Sequence, residues 1–109
     1  MNKKMSKFSG IFKALSNVNR LKVFEIIRAG RSVKSSCRRE SRPEDIPCDA
    51  VCVCEILNQM KITAPTLSHH LKELRNAGLV DVYHRGQWSY YTIRKELVDE
   101  LAEYFTELV

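Results

Sequence analysis

Residues Lys61–Tyr91 read KITAPTLSHHLKELRNAGLVDVYHRGQWSYY. Leu67, Leu71 and Leu74 recur at i, i+4 and i+7, which is the apolar stripe of one helix. Thr63 or Thr66 can cap its start, Pro65 is tolerated in a first turn, and Gly78 stops it. The opposite face carries Thr66, Ser68, His69, Lys72 and Arg75, side chains able to donate hydrogen bonds to phosphate oxygens and base edges. Leu79, Val80 and Val82 then begin a strand, Arg85-Gly86 makes a turn, and Trp88, Tyr90 and Tyr91 begin the return strand. A polar-faced helix is thus followed by a hairpin with a basic tip.

Toward the N-terminus, Phe8, Ile11, Phe12 and Leu15 have helical spacing within Lys7–Asn17. Asn19 can cap a second helix, Arg20–Arg28, which offers Leu21, Val23, Phe24, Ile26 and Ile27 for burial and ends at Ala29-Gly30. Between Arg31 and Asp49 the composition turns to Arg, Ser, Glu and Pro, and a long loop is expected. Ala50–Met60 returns to helix, with Val53, Ile56, Leu57 and Met60 facing inward, and Lys61-Ile62-Thr63 is the turn before the polar-faced helix. After the hairpin, Lys95–Leu108 is amphipathic, with Leu97, Val98, Leu101, Tyr104, Phe105 and Leu108 on one side. The plan is that of a winged helix-turn-helix: mainly α with a small β-hairpin.

A chain of 109 residues fits a single domain, 1–109, with the loop at about 31–49 inserted in it. A core of that size is limited, so an interface with a second copy would add burial. Lys and Arg exceed Asp and Glu, giving a net charge of +5, which suits a polyanionic partner. No apolar run approaches the roughly 18 residues that a membrane span needs, and the start of the chain is too interrupted by polar residues for a signal-peptide core. A cytoplasmic location is expected, with no membrane partner. In a reducing compartment the four cysteines suit metal binding or redox sensing better than structural disulfides.

Three of those cysteines, Cys48, Cys52 and Cys54, fall within seven residues at the start of the first helix of the helix-turn-helix. Unsatisfied N–H groups and the helix dipole favour thiolate over thiol at such a place. At a spacing of two, Cys52 and Cys54 cannot share a helical face, so they converge on one ion only if the first turn is irregular. Cys48 on the preceding loop can add a third sulfur. Three soft thiolates without imidazole or carboxylate suit trigonal coordination better than tetrahedral zinc. As(III) and Sb(III), which form three bonds to sulfur, match this set.

Ser68–Val80 follows the run Ser-x-His-Leu-x-x-Leu-x-x-Ala-Gly-Leu-Val of the ArsR/SmtB family of metal-responsive repressors, and the chain resembles that family from Phe8 to the final helix apart from the insertion. Leu15–Ile27 is similar to the family's early Leu-x-x-x-x-Arg-Leu-x-Ile-Leu segment. Cys52-Val53-Cys54-Glu55-Ile56-Leu57 resembles the Cys-Val-Cys-Asp-Leu box of the arsenic-responsive branch, with Leu57 where those members often carry a third cysteine. Cys48 is the nearest replacement and Cys37, within the insertion, the alternative. The resemblance implies a homodimeric repressor of double-stranded operator DNA, with its terminal helices at the dimer interface. It further implies Thr63, Thr66, Ser68 and His69 as base or sugar-phosphate contacts, Lys72 and Arg85 on the backbone, and Gln87 beside them on the wing. The zinc site that many members carry on the last helix is not expected, because that helix has carboxylates but no histidine.

Other readings compete. The same repressor could answer Cd(II), Pb(II) or Hg(II). It could be a thiol-redox or sulfide sensor in which Cys48 or Cys37 pairs with Cys52 or Cys54. A winged helix used for protein contact, with structural zinc at the cysteines, is the third. Catalysis has little support: there is no Gly-rich phosphate loop, Ser68 beside His69 and His70 lacks an orienting acid, and the Cys-x-x-Cys of thioredoxin-like enzymes is absent.

Overall fold

The computed structural model describes residues 3–30, the backbone of residue 31, and residues 45–109. Cys37 and most of the expected insertion lie outside the described residues. The elements run α1 (Lys3–Leu15), α2 (Val18–Arg28), a 3₁₀ turn (Ala29–Arg31), β1 (Val51–Cys52), α3 (Val53–Asn58), α4 (Ala64–Asn76), β2 (Val80–Arg85), β3 (Trp88–Ile93) and α5 (Lys95–Glu107).

The core forms where the apolar stripes of these helices meet one face of the sheet. Ile11, Val23, Ile56, Leu67, Leu74, Leu79 and Val80 are all but fully buried, joined by Phe8, Ile27, Leu71, Tyr91 and Leu97. The α1–α2 corner is tighter than the sequence suggests. Asn17, not Asn19, is the cap: its side chain accepts the Arg20 N–H at 3.0 Å, so α2 starts at Val18. Arg20 then donates from Nη1 to the Ala14 carbonyl at 3.2 Å, tying the two helices.

α4 begins and ends as its residues dictate. Thr63 caps it, its Oγ1 accepting the Thr66 N–H at 3.4 Å, and Pro65 sits in the first turn. At the far end Gly78 has φ 81, its N–H bonds to Arg75 O at 2.9 Å, and the Leu79 N–H bonds to Leu74 O at 3.0 Å. These are the two bonds of a Schellman cap, with Leu74 and Leu79 buried beneath it.

Two expectations are corrected in the sheet. Ala50–Met60 is not one helix: Val51 and Cys52 are extended and pair with β3, Val51 opposite Tyr91 and Cys52 opposite Tyr90. The hairpin therefore becomes a three-stranded antiparallel sheet in the order β1-β3-β2. A free edge of β3 offers unpaired backbone groups, and the β-branched Val51 and compact Cys52 satisfy them before the helix starts at Val53. The hairpin turn is Gly86-Gln87 rather than Arg85-Gly86, since Arg85 is still paired, opposite Trp88. Gly86 has φ 59, the left-handed conformation that a two-residue hairpin turn needs at its first central position.

The chain leaves α2 at Gly30 and returns to the same point at Asp49. A Cβ built on Gly30 would lie 2.5 Å from the Asp49 carbonyl oxygen and 2.6 Å from Val51 Cγ2. Backbone cannot give way there as a flexible side chain could. We therefore expect Gly30→Ala to destabilise the fold by about 1–3 kcal/mol, the usual cost of forced overpacking. A thermal melt unchanged by that substitution would mean that the two segments are not in contact.

Candidate nucleic-acid interface and thiol pair

The side chains that α4 does not bury form a donor-rich surface. Thr63, Thr66, Ser68, His69, Lys72 and Arg75 are all exposed, while Leu67, His70, Leu71 and Leu74 face the core. Thr63 is partly engaged: its hydroxyl lies 2.9 Å from that of Thr66, besides capping the helix. His69 Nε2 stands 4.0 Å from Glu73 Oε1. Its neighbour His70 points the other way and is buried, within reach of the charge of Arg20 of α2. Burial, then the charges of Arg20 and His69, hold its imidazole below the usual histidine range. The two histidines do not form a metal pair; their rings are 6.0 Å apart and tilted.

The hairpin stands beside this face, braced at its base by Arg94, which donates to Asp81 Oδ1 from Nε at 3.1 Å and from Nη2 at 2.6 Å. Between α4 and the hairpin lies a cleft of about 540 Å³. Ser68 and Lys72 from α4 and Gln87 from the turn border it. Arg75, already placed on the donor face by its helical position, borders it too, as does His84. His84 is fixed by a cross-strand hydrogen bond, Nδ1 to Ser89 Oγ at 2.8 Å, which only the strand register reveals. Arg85 is exposed at the hairpin tip but committed: its Nε donates to Asp45 Oδ2 at 2.9 Å, and Nη2 reaches the same oxygen. That contact holds the Asp45 carboxyl below the usual carboxylate range.

The same cleft has sulfur in its wall. Cys52 and Cys54 both line it, and their Sγ atoms are 3.0 Å apart. The condition for their meeting is satisfied by the β1–α3 junction. Cys52 is the N-cap of α3, with extended φ −70 and ψ 141, so the two side chains belong to different conformations rather than to one helix. Cys52 is 1% exposed and Cys54 half-buried. Cys48 is exposed on the preceding turn, and neither it nor Cys52 is in a disulfide, whereas Cys54 is. Among the described residues no group of three His, Cys, Asp or Glu side chains is placed to hold a metal ion. The structure thus brings two of the three expected ligands, Cys52 and Cys54, together.

Along the far side of the molecule α1 packs on α5. The rings of Phe8 and Tyr104 are 4.9 Å apart and those of Phe12 and Phe105 5.8 Å, with Lys7 paired to Glu100 at 2.8 Å. Only Leu97 of α5 is buried; Phe12, Phe105, Met5 and Leu108 remain exposed. Among the described residues no helix is long and apolar enough to cross a membrane.

Comparison with known proteins finds the same fold among regulators of transcription. The family model of bacterial regulatory proteins of the arsR family matches residues 50–82, from β1, which holds Cys52, into the wing. An uncharacterised helix-turn-helix transcriptional regulator from Methanocaldococcus jannaschii is 30% identical, covering 96% of this chain and 98% of its own. The arsenical resistance operon repressor of Bacillus subtilis is also 30% identical, over 89% of this chain and 75% of its own. The cadmium resistance transcriptional regulatory protein of Listeria innocua is 33% identical, over 87% and 65%. Among solved structures, an ArsR-like transcriptional regulator from Rhodococcus sp. RHA1 superposes with a TM-score of 0.73 at 13% identity, covering 98% of this chain and 83% of that one. A homodimeric winged helix-turn-helix DNA-binding domain from Mycobacterium bovis superposes with a TM-score of 0.63 at 21% identity, covering 100% and 94%.

Proposed function

Because the chain belongs to the ArsR family of bacterial regulatory proteins, we propose that it is a homodimeric repressor that releases its operator when As(III) or Sb(III) binds its cysteine thiolates. It is a DNA-binding transcriptional regulator and not an enzyme. In this reading one winged-helix domain, residues 1–109 with an insertion at about 31–49, pairs with a second copy through α1 and α5. The two α4 helices then enter successive major grooves roughly 34–36 Å apart. Thr63, Thr66, Ser68 and His69 reach bases or sugar-phosphate, and Lys72, Arg85 and Gln87 engage the backbone, joined by Arg75 from the cleft wall.

The observation that carries the sensing role is the 3.0 Å approach of Cys52 and Cys54 at the wall of the cleft that the DNA-facing groups border. Two sulfurs that close fit a single soft ion as shared ligands. With both reduced, Cys52 and Cys54 would hold the ion, and Cys48, or Cys37 from outside the described residues, would supply the third sulfur. The bound ion would contribute a rigid thiolate link between β1 and α3. By linkage it releases DNA only to the extent that it prefers the DNA-free state. The arsenical-resistance relative supports this ligand, while the cadmium-resistance relative supports Cd(II) as the rival.

One observation favours a second reading, in which the thiols sense oxidants. Cys54 is in a disulfide and the Cys52 sulfur stands 3.0 Å from it, close enough for thiol–disulfide exchange. Release of DNA by peroxide without any metal ion, reversed by added thiol, would favour this reading over the metal one.

The DNA-binding geometry is tested by four substitutions compared on operator and random DNA. Arg85→Ala and Lys72→Ala should weaken both about equally and reduce the salt slope by about 0.9 for each phosphate left without its cation. Thr66→Ala and Ser68→Ala should cost about 1–3 kcal/mol on the operator and little on random DNA. Equal losses on both DNAs for all four would show that α4 is not the reading helix.

A further inference from the structure

The segment that leads into the thiol pair also grips the tip of the wing. Arg85 is the last residue of β2 and is exposed. Two of its guanidinium nitrogens, Nε and Nη2, donate to Asp45, and the third, Nη1, donates to the His84 carbonyl at 2.6 Å. All three are engaged by the protein itself. Asp45 is not a charge on an otherwise unattached stretch of chain. The next residue, Ile46, is 4% exposed and sits in a small core with Ala50, Cys52 and Tyr90, flanked by Tyr83 and Trp88 of the hairpin. Five residues further on, Val51 and Cys52 are hydrogen-bonded to β3. Residues 45–52 therefore form a strap fixed across the hairpin, which delivers one carboxylate to the wing's arginine.

A carboxylate and a phosphate present the same thing to a guanidinium: anionic oxygen at hydrogen-bonding distance. We propose that Asp45 is a built-in competitor for DNA phosphate, clasping Arg85 in the free protein so that the wing must exchange Asp45 for the DNA backbone when it binds. This rests on the reading of the wing as a DNA contact. The exchange lowers the affinity for any duplex, whatever its sequence. It also makes the strap, which ends in Cys52, part of the binding equilibrium.

The test needs no knowledge of the operator, because a phosphate contact is felt on any sequence. The full-length protein is titrated onto a random-sequence duplex under reducing conditions, in the native form and as Asp45→Asn, Arg85→Ala and the double variant. Circular dichroism of each checks that the fold is kept. An exposed ion pair is typically worth about 1.5- to 5-fold. Asp45→Asn should therefore tighten binding by about that factor per wing and steepen the salt dependence. In the Arg85→Ala background the same substitution should have no comparable effect. An equal gain in both backgrounds would reduce Asp45 to general charge repulsion and overturn the clasp. So would unchanged or weaker binding by Asp45→Asn while Arg85→Ala weakens it, an outcome that leaves the wing on DNA. If Arg85→Ala itself has no effect, the wing is off the DNA and the proposal falls with that reading.

Discussion

Arsenite titrated onto the protein–operator complex under reducing conditions is expected to release DNA from the native chain and to leave it bound in a Cys54→Ser variant. The hydrogen-bond partners of metal ligands are typically worth about 10- to 100-fold in affinity, and a ligating thiolate is worth more. The arsenite needed for half-release should therefore rise by at least about 100-fold, while operator affinity without arsenite stays as it was. Cys52 demands a different substitution. It is 1% exposed, so a serine there would bury a hydroxyl in place of a thiol, at a cost of about 1–3 kcal/mol if unpaired. Cys52→Ala removes the ligand without that penalty and should match Cys54→Ser. Cys48→Ser should raise the requirement as well if Cys48 is the third sulfur. Loss of release in Cys37→Ser but not in Cys48→Ser would assign that role to the insertion. Release that persists unchanged in both Cys52→Ala and Cys54→Ser would remove the thiol pair from the sensor altogether.

The second large effect is expected at α5. Ending the chain at Lys95 removes Leu97, 4% exposed, and takes the Tyr104 ring from Phe8, itself 4% exposed. Each fully buried aliphatic or aromatic side chain is worth about 1.5–3 kcal/mol. Two of them are a large share of the roughly 5–15 kcal/mol that holds a domain together. Light scattering should find an aggregate or a monomer, and operator binding should be abolished. A point substitution separates folding from assembly. Phe105 is 49% exposed in the single chain, so Phe105→Glu should spare the fold but break an interface made with a second copy. A folded Phe105→Glu monomer with weakened operator binding would support the dimer, whereas a truncated, soluble dimer that still binds its operator would contradict it.

What could be read from the residues alone was what is local. The leucine stripe of α4, its Thr63 cap and its Gly78 stop are encoded within a few positions of where they act, and all three are seen. The wing was legible for the same reason, although its turn shifts by one residue because Arg85 stays in register with Trp88. β1 was not legible. Two residues carry no periodicity, and the partners that make Val51 and Cys52 extended, Tyr91 and Tyr90, lie far along the chain. That omission decided the site, since it is the extended Cys52 that lets two thiols at a spacing of two meet. The Asp45–Arg85 contact was hidden likewise, because a charge pair spanning 40 positions leaves no mark in either neighbourhood.

The close meeting of Gly30 and Asp49 makes the region between them modular. Gly30 and Asp49 already touch, so a change in the length of chain between them need move neither. Doubling such a loop adds only about 0.6 kcal/mol of closure entropy. Variation in that stretch is therefore cheap for the fold. It is also delivered directly to the strap and the thiols that follow it, while α4, the turn before it and the wing keep their places. On the reading proposed above, a protein built this way can change what it senses and keep what it reads.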